Sequence, residues 1–129
     1  MSKKTLYSTL GAIVLAVLAY VIINANAGPG RYDAFAECLT NKGVAMYGAY
    51  WCPHCQEQKK LFGKSFKKVT YIECALPGNP RGQVQECVDA KIESYPTWKF
   101  GDASRVTGEM SLEDLAEKSG CEIPVTYSL

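Results

Sequence analysis

The chain has 129 residues, with six cysteines, one histidine and a formal net charge of +1. This length is enough for one domain of about 100 residues plus an accessory segment. Charges of both signs are scattered along the chain, so neither a nucleic-acid-binding protein nor a disordered acidic tail is indicated. The cysteine content is high for this length and suggests disulfides, although the count alone does not determine their pairing.

The first 27 residues indicate export from the cytoplasm. Lys3 and Lys4 precede a charge-free run that includes LGAIVLAVLAYVII, and about twenty such residues span a membrane as a helix. Because the basic residues come first, the positive-inside rule predicts a single-pass cell-membrane anchor with the domain on the extracytoplasmic side. Ala25-Asn26-Ala27 also resembles a signal-peptidase site, so cleavage and release as a secreted or periplasmic protein is the alternative. Disulfides persist in either location.

Residues 28–31 are predicted to be a linker, 32–121 a folded domain and 122–129 a C-terminal tail. Hydrophobic periodicity, caps and turn residues define the elements of the domain. In chain order these are a helix at 32–42, a strand at 44–48, a helix from Pro53 to Gly63, a strand at 69–74, a loop at 77–80, a short helix at 83–90, a hairpin of 97–100 with 105–107, and a helix from Ser111 to Gly120. This order predicts an α/β fold with a small mixed sheet flanked by helices.

The candidate reactive residues lie in the segment MYGAYWCPHCQEQKKLFG. Cys52 is predicted at the start of the helix that begins at Pro53, where free N–H groups and the helix dipole stabilise a thiolate nucleophile. Cys55, one turn further on, can close a disulfide or resolve a mixed disulfide. His54 can place a positive or hydrogen-bonding group beside the Cys52 sulfur, which would make the disulfide a stronger oxidant. A Cys-x-x-Cys pair between a strand and a helix is typical of a thioredoxin-like domain.

Two other interpretations of this cysteine pair remain open. The pair can be a purely structural disulfide, or it can bind zinc with His54 or with other cysteines. A zinc site would need a second closely spaced pair, whereas Cys74 and Cys87 lie far apart in the sequence. Placement after a strand, the preceding Trp51 and the histidine inside the motif favour redox chemistry without a metal or cofactor. For His54 alone, a solvated surface histidine is the alternative to a role in the redox site.

Tyr95-Pro96, in the string SYPTW, supplies a second indication of a thioredoxin-like site. Pro96 precedes a predicted strand, about where this fold places a cis-proline loop against the active site, and we predict a cis bond although cis X–Pro bonds are a minority. The peptide at Tyr95 can then pair with an extended substrate beside Cys52 and Trp51. Cys52 is expected to be exposed and attacked by substrate, whereas Cys55 is expected to be shielded by Pro96 and Trp51.

Four strings, MYGAYWCPHCQEQKKLFG, YIEC, QECVDAKIESYPTW and TGEMSLEDLAEKSG, resemble the thioredoxin-like domain that is fused to bacterial homologues of vitamin K epoxide reductase (VKOR). The resemblance covers nearly all of residues 32–121, and the Cys-Pro-His-Cys sequence is shared with the periplasmic thiol oxidase DsbA. It implies an enzyme, mainly a thiol oxidase, that introduces disulfides into exported proteins with free thiols. In that family the domain passes electrons to a membrane enzyme that reduces a quinone.

The resemblance also has implications for the remaining cysteines. It implies a structural disulfide between Cys74 and Cys87, which would enclose a Pro/Gly-rich loop; a second redox pair that relays electrons is the alternative. Cys38 and Cys121, near the two ends of the domain, are left over and are expected to pair by elimination.

The sequence departs from this family in two respects. Only one apolar segment is present, so we expect a stand-alone domain with a separate VKOR- or DsbB-like quinone-linked reoxidase. In addition, Met46 stands where many thioredoxins carry a buried acidic residue, which puts a carboxylate proton relay in doubt. The alternative to an enzyme is a non-catalytic binding module, either a metal carrier or a chaperone.

Overall fold

A computed structural model describes residues 3–125, and the side chains at 3–5 and 25–27 are outside that description. The predictions that involve the side chains of Lys3, Lys4 and the Ala25-Asn26-Ala27 site therefore lie outside the described residues. The same is true of the last four residues of the predicted tail, 126–129.

The chain begins with a long apolar helix, α1 (Lys3–Ala27). Its segment Leu6–Asn24 has a mean hydropathy of 2.3 and none of it is buried against the rest of the protein. A helix of this length and composition can cross a membrane, and a signal sequence has the same properties. The structure therefore confirms one apolar N-terminal helix, whose length and composition suit a membrane anchor or a signal sequence.

The remaining elements follow the predicted order closely. They are α2 (Asp33–Asn41), β1 (Ala45–Gly48), α3 (Pro53–Phe62), a 3-10 helix (Gly63–Lys68), β2 (Thr70–Glu73), β3 (Ala75–Leu76), β4 (Asn79–Gln83), α4 (Gln85–Asp89), β5 (Thr97–Lys99), β6 (Arg105–Thr107) and α5 (Leu112–Ser119). The main sheet has the strand order β2-β1-β5-β6. Strand β1 is parallel to β2 and antiparallel to β5, and β5 is antiparallel to β6. The predicted small mixed sheet is confirmed, and its arrangement is thioredoxin-like.

Strand β1 lies inside the sheet, between β2 and β5, and all four of its residues are buried. Side chains alternate between the two faces of a strand. Met46 therefore joins a large core with α2, α3 and α5, whereas Ala45 and Tyr47 join a smaller core on the other face with α4. The larger core contains Phe35, Leu39, Met46, Phe62, Trp98 and Leu115 among its fully buried side chains. Helices thus cover both faces, and the end of β1 leads directly to the Cys-x-x-Cys segment.

One part of the predicted element order is wrong. Instead of a loop at 77–80 followed by a helix from Gln83, the chain forms a hairpin of β3 with β4, and α4 begins only at Gln85. Gly78 makes the turn with φ of +72°, and Leu76 pairs with Asn79. Because β4 contains a proline and a glycine and few apolar residues, its sequence lacks the alternation that marks a strand.

Two disulfides are present within residues 3–125, and they are the two pairs that the sequence analysis named. Cys74–Cys87 joins the start of the β3–β4 hairpin to α4, and Cys38–Cys121 joins α2 to the chain just after α5. Cys74 and Cys87 are completely buried. Cys52 and Cys55 are the cysteines that remain as free thiols within the described residues.

Candidate active site

Cys52 occupies the N-cap position of α3. Its backbone is extended, with φ of −77° and ψ of 117°. Pro53 follows in the first turn of the helix, where backbone N–H groups have no partner within the helix, so the N–H that proline lacks costs no hydrogen bond. The Cys52 sulfur accepts a hydrogen bond from the N–H of Cys55 at 3.4 Å. The sulfur therefore takes the role of the usual capping oxygen at the helix end that stabilises negative charge.

Cys52 is more buried than the sequence analysis expected, whereas Cys55 was expected to be shielded. Cys52 is 5% exposed and Cys55 is not exposed at all. The prediction of an exposed Cys52 is wrong because the side chain turns back toward the Cys55 N–H and toward the carbonyl of Tyr95, whose oxygen lies 3.7 Å from the sulfur. Of the two residues, Cys52 nevertheless remains the one with some exposed surface.

The Tyr95–Pro96 segment lies directly against Cys52. The peptide bond before Pro96 is cis, and Pro96 is buried. Trp51, which is 43% exposed, meets the Tyr95 ring edge-on with centroids 6.0 Å apart and an interplanar angle of 77°. The structure thus brings Trp51, Tyr95 and Pro96 together beside Cys52.

His54 points to a partner that the sequence analysis did not name. Its Nδ1 lies 2.5 Å from Oε1 of Glu109, and the side chains of His54 and Glu109 are 71% and 39% exposed. We predicted that His54 would act beside the Cys52 sulfur, but the hydrogen bond that the structure shows for its ring is with Glu109. No local sequence pattern indicates this contact, because Glu109 lies between β6 and α5.

Gln58 holds the Glu109 segment against α3. Gln58 is completely buried, and its Nε2 donates to the carbonyl of Met110 at 2.9 Å. Its Oε1 accepts from the Met110 N–H at 2.7 Å and from the Trp98 indole at 3.3 Å. The sequence analysis missed Gln58, although a polar residue on the helix face shared with Cys55 and Phe62 is a signal of such a role.

The Cys55 sulfur lies in an enclosed space beside β1 and β2. A Cβ placed on Gly48 would lie 3.0 Å from this sulfur and 2.9 Å from Cε2 of Tyr71, so only glycine fits between them. Burial raises the pKa of the Cys55 thiol to about 12, with a further contribution from the adjacent Cys52 and opposing effects from the Ala49 backbone and the Lys59 ammonium. At neutral pH, Cys55 is therefore a neutral thiol.

Tyr71 and Glu73 form a hydrogen-bonded pair on the same side. The Tyr71 hydroxyl donates to Oε2 of Glu73 at 2.8 Å, and the Lys59 Nζ lies 3.7 Å from the centre of the Tyr71 ring. Burial and then the Glu73 carboxylate raise the pKa of the Tyr71 phenol. Neither Tyr71 nor Glu73 was predicted as a site residue.

This arrangement suits thiol–disulfide exchange. It combines a sulfur at a helix N-terminus with a second, neutral and more deeply buried sulfur one turn along the same helix. Among residues 3–125, no three His, Cys, Asp or Glu side chains come together as a group that could hold a metal ion.

Comparison with known proteins agrees with this chemistry. No protein-family model matches the chain. A stretch of 90 residues, 67% of the chain, is 43% identical to part of the thiol-disulfide oxidoreductase LTO1 of Arabidopsis thaliana. This chain spans only 24% of the length of that protein. Across 67% of its length, the chain is therefore related to a thiol–disulfide oxidoreductase. This relationship supports a redox role.

Proposed function

We propose that this protein is an extracytoplasmic thiol–disulfide oxidoreductase that acts mainly as a thiol oxidase through a Cys52–Cys55 disulfide. The observation that carries the proposal is the position of Cys52 at the start of α3, with its sulfur accepting the Cys55 N–H. Interactions that favour a Cys52 thiolate favour the reduced protein, so the oxidised protein readily gives its disulfide to other thiols. The similarity to the Arabidopsis oxidoreductase supports the same class of reaction.

In the first step, a substrate thiolate attacks the Cys52 sulfur of the disulfide. A substrate–Cys52 bond forms, the Cys52–Cys55 bond breaks, and Cys55 leaves with the electron pair and takes up a proton. A second substrate thiolate then attacks the substrate sulfur of the mixed disulfide and releases Cys52 as a thiolate. The substrate is oxidised by two electrons, and the protein is left as the dithiol.

The Tyr95–Pro96 loop and Trp51 are proposed to hold the substrate during this exchange. The Tyr95 carbonyl lies 3.7 Å from the Cys52 sulfur, so a peptide extended along this loop would bring its own cysteine to the reacting atom. Trp51 is partly exposed beside the same loop and offers apolar surface to the substrate chain.

Returning the dithiol to the disulfide requires an electron acceptor. We propose a separate VKOR- or DsbB-like membrane protein that passes the electrons to a quinone, because the sequence resembles the domain fused to VKOR homologues. Retention of α1 as an anchor would hold the domain close to such a partner on the extracytoplasmic side of the cell membrane. N-terminal sequencing of the mature protein tests this: a chain that begins at Gly28 would contradict the anchor and indicate a released domain.

The activity is tested with the oxidised protein and a reduced, unfolded test protein that needs several disulfides. The wild type should consume substrate thiols, and Cys52→Ala should consume none. When the test protein is supplied in its disulfide form, Cys55→Ala should instead accumulate mixed disulfides, visible on a non-reducing gel, because the Cys52 thiolate attacks a substrate disulfide and no Cys55 thiol is present to displace the substrate. Adducts recovered mainly through Cys55, in the Cys52→Ala variant, would contradict the assignment of the attacked sulfur. A metal carrier would behave differently, holding zinc or copper at near-unit stoichiometry and leaving the test protein reduced.

A further inference from the structure

The Cys55 sulfur and the Tyr71 hydroxyl face the same narrow space. A Cβ on Gly48 would lie 3.0 Å from Cys55 Sγ and 3.1 Å from Tyr71 Oη, so both atoms border the space that a side chain at Gly48 would fill. Gly48 ends β1, and its partner in the parallel strand β2 is Glu73. The missing side chain at Gly48 therefore leaves the sulfur open toward the Tyr71 hydroxyl.

The Glu73 carboxylate is held in a fixed position next to this space. Its Oε2 accepts the Tyr71 hydroxyl at 2.8 Å, and its Oε1 accepts the backbone N–H groups of Tyr50 and Ala75 at 3.1 and 3.0 Å. Glu73 is only partly buried, so one end of the Tyr71–Glu73 pair reaches solvent while the other faces the enclosed sulfur.

Cys55 has to exchange a proton in every catalytic cycle. It becomes a thiolate when it leaves the disulfide and again when it attacks a mixed disulfide on Cys52. The sulfur is fully buried, and burial raises the pKa of this thiol to about 12, so the neutral form is favoured at neutral pH. The charged or titratable groups that act on it are Cys52 and Lys59 on α3 and Tyr71 on β2, with Glu73 behind Tyr71. Lys59 is a cation that stabilises the transient thiolate but has no acceptor for a proton.

We propose that Tyr71 and Glu73 form a proton relay that connects Cys55 to solvent. When Cys55 attacks a mixed disulfide on Cys52, the sulfur and the Tyr71 hydroxyl close to hydrogen-bonding distance, and the Cys55 proton passes to the Tyr71 oxygen as the Tyr71 proton passes to Glu73. Glu73 then releases the proton to water. When Cys55 is the leaving group, the same transfers run in reverse, and Glu73 is reprotonated by water. The relay rests on the proposed function, because it serves the thiol–disulfide cycle of Cys52 and Cys55.

The relay explains how a buried thiol can be both a leaving group and a nucleophile. A sulfur that leaves as a bare thiolate in an apolar site is a poor leaving group, since thiols with high pKa values leave slowly. Proton transfer from a group positioned beside the sulfur removes that barrier, and such transfers contribute roughly 100- to 10,000-fold in enzymes.

The test separates the two steps of oxidation by glutathione disulfide. The reduced full-length protein is mixed with glutathione disulfide, quenched with acid at short times and analysed by mass spectrometry. Formation of the Cys52–glutathione adduct reports the first step. Loss of that adduct, as Cys55 attacks Cys52 and releases glutathione, reports the second. At pH 7, Tyr71→Phe and Glu73→Gln should slow the second step by about 100-fold, the lower end of general acid–base effects, and leave the first step unchanged.

Two further features distinguish a relay from a structural role. The deficit should shrink as the pH is raised toward the Cys55 pKa of about 12, because hydroxide then removes the proton directly. The double variant should be no slower than the slower single variant, because both residues act on one path. Glu73→Gln keeps an oxygen that can accept the Tyr50 and Ala75 N–H groups, and thermal melting of each variant checks that it folds.

Two variants serve as matched controls. Tyr47→Phe removes a phenol from the opposite face of the sheet, and Glu57→Gln removes an exposed carboxylate from α3; both should resolve the adduct at the wild-type rate. Wild-type resolution rates in Tyr71→Phe and Glu73→Gln, or equal slowing of both steps at every pH, would overturn the relay alone. Failure of glutathione disulfide to oxidise the wild type, or to form an adduct on Cys52 in Cys55→Ala, would overturn the proposed function and the relay with it.

Discussion

His54 and Glu109 make a direct contact across the mouth of the site, with Nδ1 of His54 2.5 Å from Oε1 of Glu109. The contact joins the first turn of α3 to the segment between β6 and α5. The buried Gln58 side chain holds that segment against α3 through its hydrogen bonds to the Met110 backbone. The histidine inside the Cys-x-x-Cys motif is therefore positioned by a carboxylate that is more than fifty residues away in the sequence.

We expect Glu109 to increase the oxidising strength of the disulfide through His54. The Glu109 carboxylate holds the His54 ring at the start of α3, where a hydrogen-bonding or positive group favours the Cys52 thiolate and hence the reduced protein. Glu109→Gln and His54→Leu should therefore both shift the equilibrium with glutathione toward the disulfide form of the protein, Glu109→Gln by less. The interaction is exposed, so the Glu109→Gln effect should fall as salt is added.

The matching control for this prediction is Glu113→Gln, which removes an exposed carboxylate from the first turn of α5. It should leave the equilibrium with glutathione unchanged. A Glu109→Gln effect that persists in the His54→Leu background would contradict the argument, since Glu109 would then act on the cysteines without His54.

The two thiols of the reduced protein should differ sharply in alkylation. Burial raises the pKa of Cys55 to about 12 and its side chain is fully buried, so iodoacetamide at pH 7 should modify Cys52 and leave Cys55 unmodified. Labelling of Cys55 should increase as the pH rises toward that pKa, because only the thiolate reacts. Peptide mapping by mass spectrometry measures both sites, and equal labelling of the native protein at pH 7 would contradict the assignment.

Loss of the Cys74–Cys87 disulfide should lower stability and spare the redox activity. In the chain-entropy model, closing this loop stabilises the folded state by about 3 kcal/mol. Both cysteines are completely buried, so substrate thiols do not reach them in the native fold. The double variant Cys74→Ser/Cys87→Ser should therefore show a lower Tm but still oxidise the test protein below that temperature. Wild-type melting with lost oxidation would instead indicate that the pair relays electrons.

Gln58→Leu should destabilise the domain strongly. The substitution leaves the N–H and carbonyl of Met110 without their side-chain partner in a buried site, at a cost of about 1–3 kcal/mol for each unpaired group. Gln85→Leu, on the exposed surface of α4, is the control and should change stability little. Denaturant unfolding measures both. A Gln58→Leu variant as stable as the control would show that these hydrogen bonds contribute little.

Local sequence patterns determined much of this protein. The long charge-free run of residues specifies the apolar helix α1, because hydrophobicity and length do not depend on contacts elsewhere in the chain. Ser111 and Gly120 specify the bounds of α5: Ser111 accepts the Asp114 N–H, and Gly120 adopts the left-handed backbone that ends the helix. Pro53 likewise sets the start of α3 and so places Cys52 at its N-terminus.

Only the tertiary structure decided which distant side chains surround the two thiols. Met46 is apolar, and its own strand offers no acid; the hydroxyl and carboxylate near Cys55 come instead from Tyr71 and Glu73 on the neighbouring strand β2. Strand pairing and register bring them there, and these depend on packing over the whole sheet rather than on local propensity. The burial of Cys52 and the pairing of His54 with Glu109 have the same origin, because each is set by a loop that returns from far along the chain.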